Sequence, residues 1–184
     1  MKKHTKAGYL STVALIFFSA SLFATEKVEF SANDFKCLTD MQPVRGFFVD
    51  NLLGDIDATL EAANQESNII YPVGSVVQLV PTEVMVKREA GFNPATKDWE
   101  FVELLVSAQG SKIKVRGATE VVNKFGGNCF ACHVKAKSEF DMICEQDHGC
   151  DPINLPNGST LTQQMIKGIQ QQDPRCDVKV PAES

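Results

Sequence analysis

Along the middle of the chain, apolar and polar positions alternate with a period near two, the mark of strands half-buried in a sheet. Gly46-Phe47-Phe48-Val49 predicts a first strand in an otherwise mixed stretch from Val28 to Asn51. The period then lengthens. Ile56, Leu60 and Ala63 fall at i, i+4 and i+7 behind Asp55, a suitable N-cap, and predict a helix that runs to about Glu66. Tyr71-Pro72-Val73-Gly74 is a turn, and the valine-rich Ser75 to Val80 reads as a buried strand that Pro81 ends. From Thr82 to Lys87, Val84 and Val86 face one way and Glu83, Met85 and Lys87 the other.

After the turn Gly91-Phe92-Asn93-Pro94, Trp99 to Val106 is apolar on both faces except at Glu100 and Glu103, as a doubly covered strand would be. Beyond a turn at Gly110, Lys112 to Arg116 alternates again, with Ile113 and Val115 inward and three cations on a solvated face. No helix long enough for a parallel crossover separates these strands. The pattern therefore predicts an α+β fold, mainly an antiparallel β-sheet with a few helices.

The last third changes character. Phe125-Gly126-Gly127-Asn128, whose glycines would let the backbone approach a flat ligand closely, leads into a predicted helix from Cys129 through Lys137. After Asp151-Pro152 a loop ends at Ser159, which predicts a capped helix from Thr160 to about Gln171 as a C-terminal extension, with Leu161, Met165 and Ile169 as its core stripe. The last dozen residues read as loose apart from Cys176.

At the other end, Lys2, Lys3 and Lys6 precede an apolar run from Val13 to Phe23 and the small residues Ser19, Ala20, Ser21 and Ala24. This is the three-part pattern of a secretory signal peptide, residues 1–24, cleaved after Ala24 or, alternatively, after Ser21. The run is short for a membrane span. Residues 25–184 then form one domain, expected to be soluble and periplasmic. Loss of three lysines and no acids takes the formal net charge from −5 to −8. An acidic chain without a basic stripe excludes nucleic acid and anionic membranes as natural partners.

The chemistry concentrates in Cys129-Phe130-Ala131-Cys132-His133, a C-x-x-C-H attachment site for c-type haem. On a helix the positions i, i+3 and i+4 share a face, so Cys129 and Cys132 can bond one porphyrin edge while His133 offers its imidazole to the iron. A disulfide between Cys129 and Cys132 is the alternative, and it wants a thioredoxin-like βαβ context that the strand pattern lacks. Four cysteines remain, and in an oxidising compartment an even remainder suggests two disulfides. Of the three possible pairings we prefer Cys144–Cys150, a short local loop, with Cys37–Cys176 tying the ends together. Cys144, His148 and Cys150 could instead contribute to a metal site.

From Tyr71 to Asp141 the chain resembles the cytochrome P-460 family, which includes the cytochromes called c-prime-beta. The matching pieces are Tyr71-Pro72-Val73-Gly74-Ser75-Val76, Met85-Val86-Lys87, Asp98-Trp99-Glu100-Phe101, Asn128 through His133, and Phe140-Asp141. The resemblance implies a mostly antiparallel sheet with a few helices, one covalent haem c, and a homodimer. It also implies that a lysine on the strand after the glycine turn is bonded to the porphyrin in the hydroxylamine-oxidising members. Counted from Gly74 that position is Leu79, which cannot form the bond, so the chain looks like the branch without it. Lys87 falls where the family often has a surface lysine.

His133 is then the proximal ligand, and the opposite axial position decides function. The cross-link-free relatives bind small gases under aromatic side chains, for which Phe47, Phe48, Phe92 and Phe101 are candidates, with Leu79 adding to an apolar distal pocket. A methionine ligand would instead make a six-coordinate electron carrier. Met41, Met85, Met142 and Met165 are available. The sequence thus predicts an exported mono-haem cytochrome that binds nitric oxide or a similar diatomic. The alternatives are an electron carrier with a protein partner and, disfavoured by Leu79, an oxidase of hydroxylamine or related nitrogen compounds.

Overall fold

The computed structural model describes residues 27–146, 148–154 and 158–177. The signal-peptide reading of residues 1–24 lies outside the described residues. No described helix is long and apolar enough to cross a membrane.

Six strands form one sheet in chain order: β1 (Gln42–Val44), β2 (Phe47–Asn51), β3 (Ser75–Val80), β4 (Glu83–Lys87), β5 (Trp99–Ser107) and β6 (Gly110–Gly117). Each runs antiparallel to the next. The α+β, mainly antiparallel expectation is met. Helix α1 (Ile56–Ala63) starts where the pattern put it, with the Asp55 carboxylate accepting from the Ala58 N–H at 3.3 Å.

Both faces of the sheet are covered, which is why its central strands are apolar on both sides. Val28, Phe35, Leu38 and Met41 from the amino-terminal segment pack on Val76, Val84, Val86, Val102 and Leu104. On the opposite face Val49, Val77, Met85 and Phe101 meet α1 and the segment around Val121, Phe140, Met142 and Ile143. Two bulges shift the ladder, one between Gln78 and Val80 and one against Glu103 and Leu104. The second puts Ile113 opposite Leu104 and Val115 opposite Glu103, so these two do not share a face as the alternation suggested.

Other expectations are corrected by long-range contacts. Arg116 is not part of a solvated face: it pairs with Glu100 and stacks 3.6 Å from the Phe30 ring centroid. The helix at the C-x-x-C-H motif, α2 (Cys129–His133), is little more than one turn. It cannot continue to Lys137, because that residue is extended and gives its N–H to Gly149 O at 3.0 Å. The carboxy-terminal helix α3 (Gln163–Gln170) is capped by Thr162, not Ser159; its buried residue is Ile166, and Met165 is exposed. The tail around Cys176 is anchored. Asp173 accepts the Leu38 N–H at 3.1 Å and pairs with Arg175, which reaches Phe35 O at 3.2 Å.

Candidate functional site

The C-x-x-C-H turn is set in place by the residues before it. Asn128 caps α2, its side chain accepting the Ala131 N–H at 2.8 Å while its amide donates to Thr119 O at 2.8 Å. The Cys129 N–H bonds Val121 O at 3.0 Å. Upstream, Asn123 closes a tight turn by accepting the Gly127 N–H at 2.9 Å. Gly126 has φ +83° there, the left-handed backbone that glycine adopts without a Cβ penalty. A Cβ at Gly126 would meet no protein atom within 4 Å, so within the chain it is the turn's backbone that calls for glycine here.

Cys129 and Cys132 are both free thiols, half-buried and exposed respectively. The alternative of a bond between them is not what the structure contains. Cys37 is bonded to Cys176 and Cys144 to Cys150. The second bridge uses the thiols that a Cys144–His148–Cys150 metal site would need, so that alternative is withdrawn. His148 packs its ring on Phe140 at 4.8 Å.

His133 is half-buried, and its Nδ1 lies 2.9 Å from Met142 O. A carbonyl can only accept, so Nδ1 carries the proton and the lone pair stands on Nε2, the tautomer a metal-binding imidazole needs. Burial lowers the pKa of the ring, against the pull of that hydrogen bond, which keeps the imidazole neutral and able to ligate.

Behind the Met142 carbonyl stands a network that the sequence reading missed. Lys87 is buried, not a surface lysine, and its ammonium contacts both oxygens of Asp141 at 2.8 and 3.0 Å. Asp141 also accepts the Tyr71 N–H at 3.0 Å, and its carbonyl receives the Trp99 indole N–H at 2.7 Å. Asp141 and Met142 have φ +48° and +67°, a left-handed pair rare outside glycine. The ion pair and the indole bond hold that strained corner, and the corner aims the carbonyl at His133. The signal was in the sequence as Lys87, Trp99 and Asp141, but spread over three separate segments.

The face of the sheet behind α2 is largely apolar. Cys129, Phe130 and Leu79 pack against the cluster containing Phe47, Met85 and Phe101, and the Phe101 and His133 rings lie 5.4 Å apart. Of the four aromatic candidates, Phe47 and Phe101 are here; Phe48 packs on the other face and Phe92 beneath Arg88. Of the methionines, Met85 and Met142 are on this side, Met41 on the other, and Met165 on α3. Leu79 occupies the bulge of β3, and its carbonyl accepts from the Gln170 amide at 2.8 Å. A bulge re-aims a side chain out of the regular ladder. Two surface clefts lie elsewhere, about 580 Å³ over Lys87 and Asp141 and about 520 Å³ beside Arg45 and α3.

Two free thiols and an imidazole with the correct free nitrogen, on one helical turn against an apolar face, fit a covalently held haem. The thiols are not equivalent. The Cys129 thiol is pushed up to about 12, first by burial and then by the Glu83 and Glu103 carboxylates. In protein prepared without haem, iodoacetamide is expected to modify Cys132 faster than Cys129, by on the order of tenfold or more. Peptide mapping over time checks this, and equal rates would contradict the burial of Cys129. No protein-family model, curated protein or solved structure matches this chain.

Proposed function

We propose that this protein is an exported mono-haem c-type cytochrome of the P-460-like type that binds a small gas such as nitric oxide, in scavenging or sensing. The observation that carries the proposal is the His133–Met142 hydrogen bond beside the free Cys129 and Cys132. It supplies, on one turn of helix, the two thioether positions and a correctly oriented proximal ligand. A haem there would be held by Cys129, Cys132 and His133 and would supply an iron able to bind a diatomic ligand. Leu79, Phe47 and Phe101 line the same apolar side and favour an uncharged ligand over an ionic one. Leu79 also supports the branch without the porphyrin–lysine bond, against hydroxylamine oxidation. The two disulfides suit an oxidising, periplasmic location.

A second reading, electron transfer with a protein partner, is favoured by Met85, a methionine packed in the same apolar cluster as Phe47 and Phe101. Absorption spectra of ferric and ferrous holoprotein, with and without nitric oxide or carbon monoxide, separate the two. Gas binding is expected to shift the ferrous Soret band. Six-coordinate low-spin spectra unchanged by either gas would assign the electron carrier instead.

A further inference from the structure

Two carboxylates stand among the apolar residues of this same side, and gas binding does not require them. Glu83 on β4 and Glu103 on β5 are directly opposed in register, a placement that brings Cβ atoms to about 5 Å. Each is two positions from a residue of the apolar face, Met85 and Phe101, and so projects to that side. Glu103 is 1 % exposed. Its Oε1 accepts the Lys124 N–H at 3.1 Å, but its Oε2 has no hydrogen-bond partner.

A buried carboxylate oxygen without a donor, opposite a second carboxylate, is a place for a proton, because two like charges so close resist ionising together. Burial pushes Glu83 up to about 7, with the charge of Glu103 adding to it, while Lys124 and an Asn123 hydrogen bond pull the other way. Burial also raises Glu103, opposed by Lys124 and Lys114. The charged and titratable groups turned toward the pair are therefore Lys114 from β6, Lys124 from the turn before α2, and the Cys129 thiol. A thioether at Cys129 carries no titratable proton. Because Cys129 feels both carboxylates, the pair stands close to one point of haem attachment.

We propose that Glu83 and Glu103 form a two-carboxylate site that gains one proton when the haem iron is reduced and releases it when the iron is oxidised. The proposal rests on the haem reading above. With haem held by Cys129, Cys132 and His133, an outside one-electron donor would supply the electron that takes ferric iron to ferrous, and solvent would supply the proton that forms one O–H bond on the Glu83–Glu103 pair. The negative charge added at the iron favours the protonated pair, which couples the two events.

The sign is fixed. Raising the pH removes the proton that reduction takes up, so the midpoint potential falls with pH, by about 59 mV for each tenfold change in proton concentration where coupling is complete. Spectroelectrochemical titration of the holoprotein from pH 5 to 9 is expected to show this slope around neutral pH, and Glu83→Gln and Glu103→Gln are expected to flatten it. A wild-type potential independent of pH, or a slope unchanged in both variants, overturns the proposal. Thermal unfolding gives a second test. The Glu83 pKa is about 7 in the folded protein against an ordinary value of 4.5, so its stabilising proton is fully present below about 4.5 and lost as pH rises through about 7. Glu83→Gln removes that pH dependence, and identical profiles in variant and wild type also overturn the proposal. Failure of the haem reading is seen separately, as a purified protein without covalent haem absorption.

Discussion

Replacing Asp141 by alanine is expected to lower the stability of the fold by about 3–5 kcal/mol. The cost comes from what is left behind. Lys87 keeps its ammonium buried, with the Lys97 carbonyl at 2.8 Å in place of a counter-ion. The Tyr71 N–H loses its acceptor. Alanine also fits poorly at φ +48°, where asparagine is tolerated. Asp141→Asn separates these effects, because it retains the backbone conformation and an acceptor for Tyr71 while removing the charge. Urea unfolding should place it between wild type and Asp141→Ala, with similar slopes for all three. A double-mutant cycle with Lys87→Met measures the pair itself, and a coupling energy near zero would show that the corner holds without it. In the holoprotein, Asp141→Ala is also expected to shift the absorption bands, because it loosens the carbonyl that fixes the tautomer of His133.

Removing the Cys37–Cys176 disulfide is expected to have the other large effect. The bridge closes 139 residues, and the chain-entropy model gives about 5 kcal/mol for a loop of that size. Cys144–Cys150 closes only 6, for which the same model gives about 2 kcal/mol. The structure makes the comparison clean. Asp173 and Arg175 still tie the tail to Leu38 and Phe35 when the sulfurs are gone, so most of the loss lies in the freed unfolded chain. Paired serine variants, compared by denaturant midpoint, are expected to rank Cys37→Ser/Cys176→Ser well below Cys144→Ser/Cys150→Ser. The reverse order would mean that native contacts of the short loop outweigh the entropy of the long one.

Strands β2 to β6 were legible because they alternate or run apolar between turn signals, and because both faces of the sheet are covered; β1, only Gln42-Pro43-Val44, carries no such pattern and was missed. What escaped depends on contacts between distant residues. The bulge at Lys114 hides inside an apparently clean alternation, since a one-residue slip changes the face without changing the pattern. The motif helix read as longer than it is because nothing from Val134 to Lys137 breaks a helix locally; the partner that ends it is Gly149. Lys87 was placed at the surface by the resemblance, and the sequence offered no correction because its partner lies 54 residues on. The opposition of Glu83 and Glu103 needed a register across a long connection, which side-chain patterning does not specify. Cys129, Cys132 and His133 were readable from spacing alone, but the carbonyl that orients the imidazole was not.

The consecutive strand order bears on how the protein is assembled. Every strand of the sheet pairs with its neighbour in sequence, and all six are complete by Gly117. The attachment turn and the Asp141 corner come afterwards. A chain emerging amino-terminus first can therefore complete its sheet before the motif appears, from tight hairpins at β1–β2, β3–β4 and β5–β6 that close quickly and longer connections through α1 and between β4 and β5. The two thiols reach that scaffold after its sheet is complete and, once α2 has packed down, Cys129 is hard to ionise. On the haem reading proposed above, the interval for joining the porphyrin would lie between those two moments, and the order of the strands is what opens it.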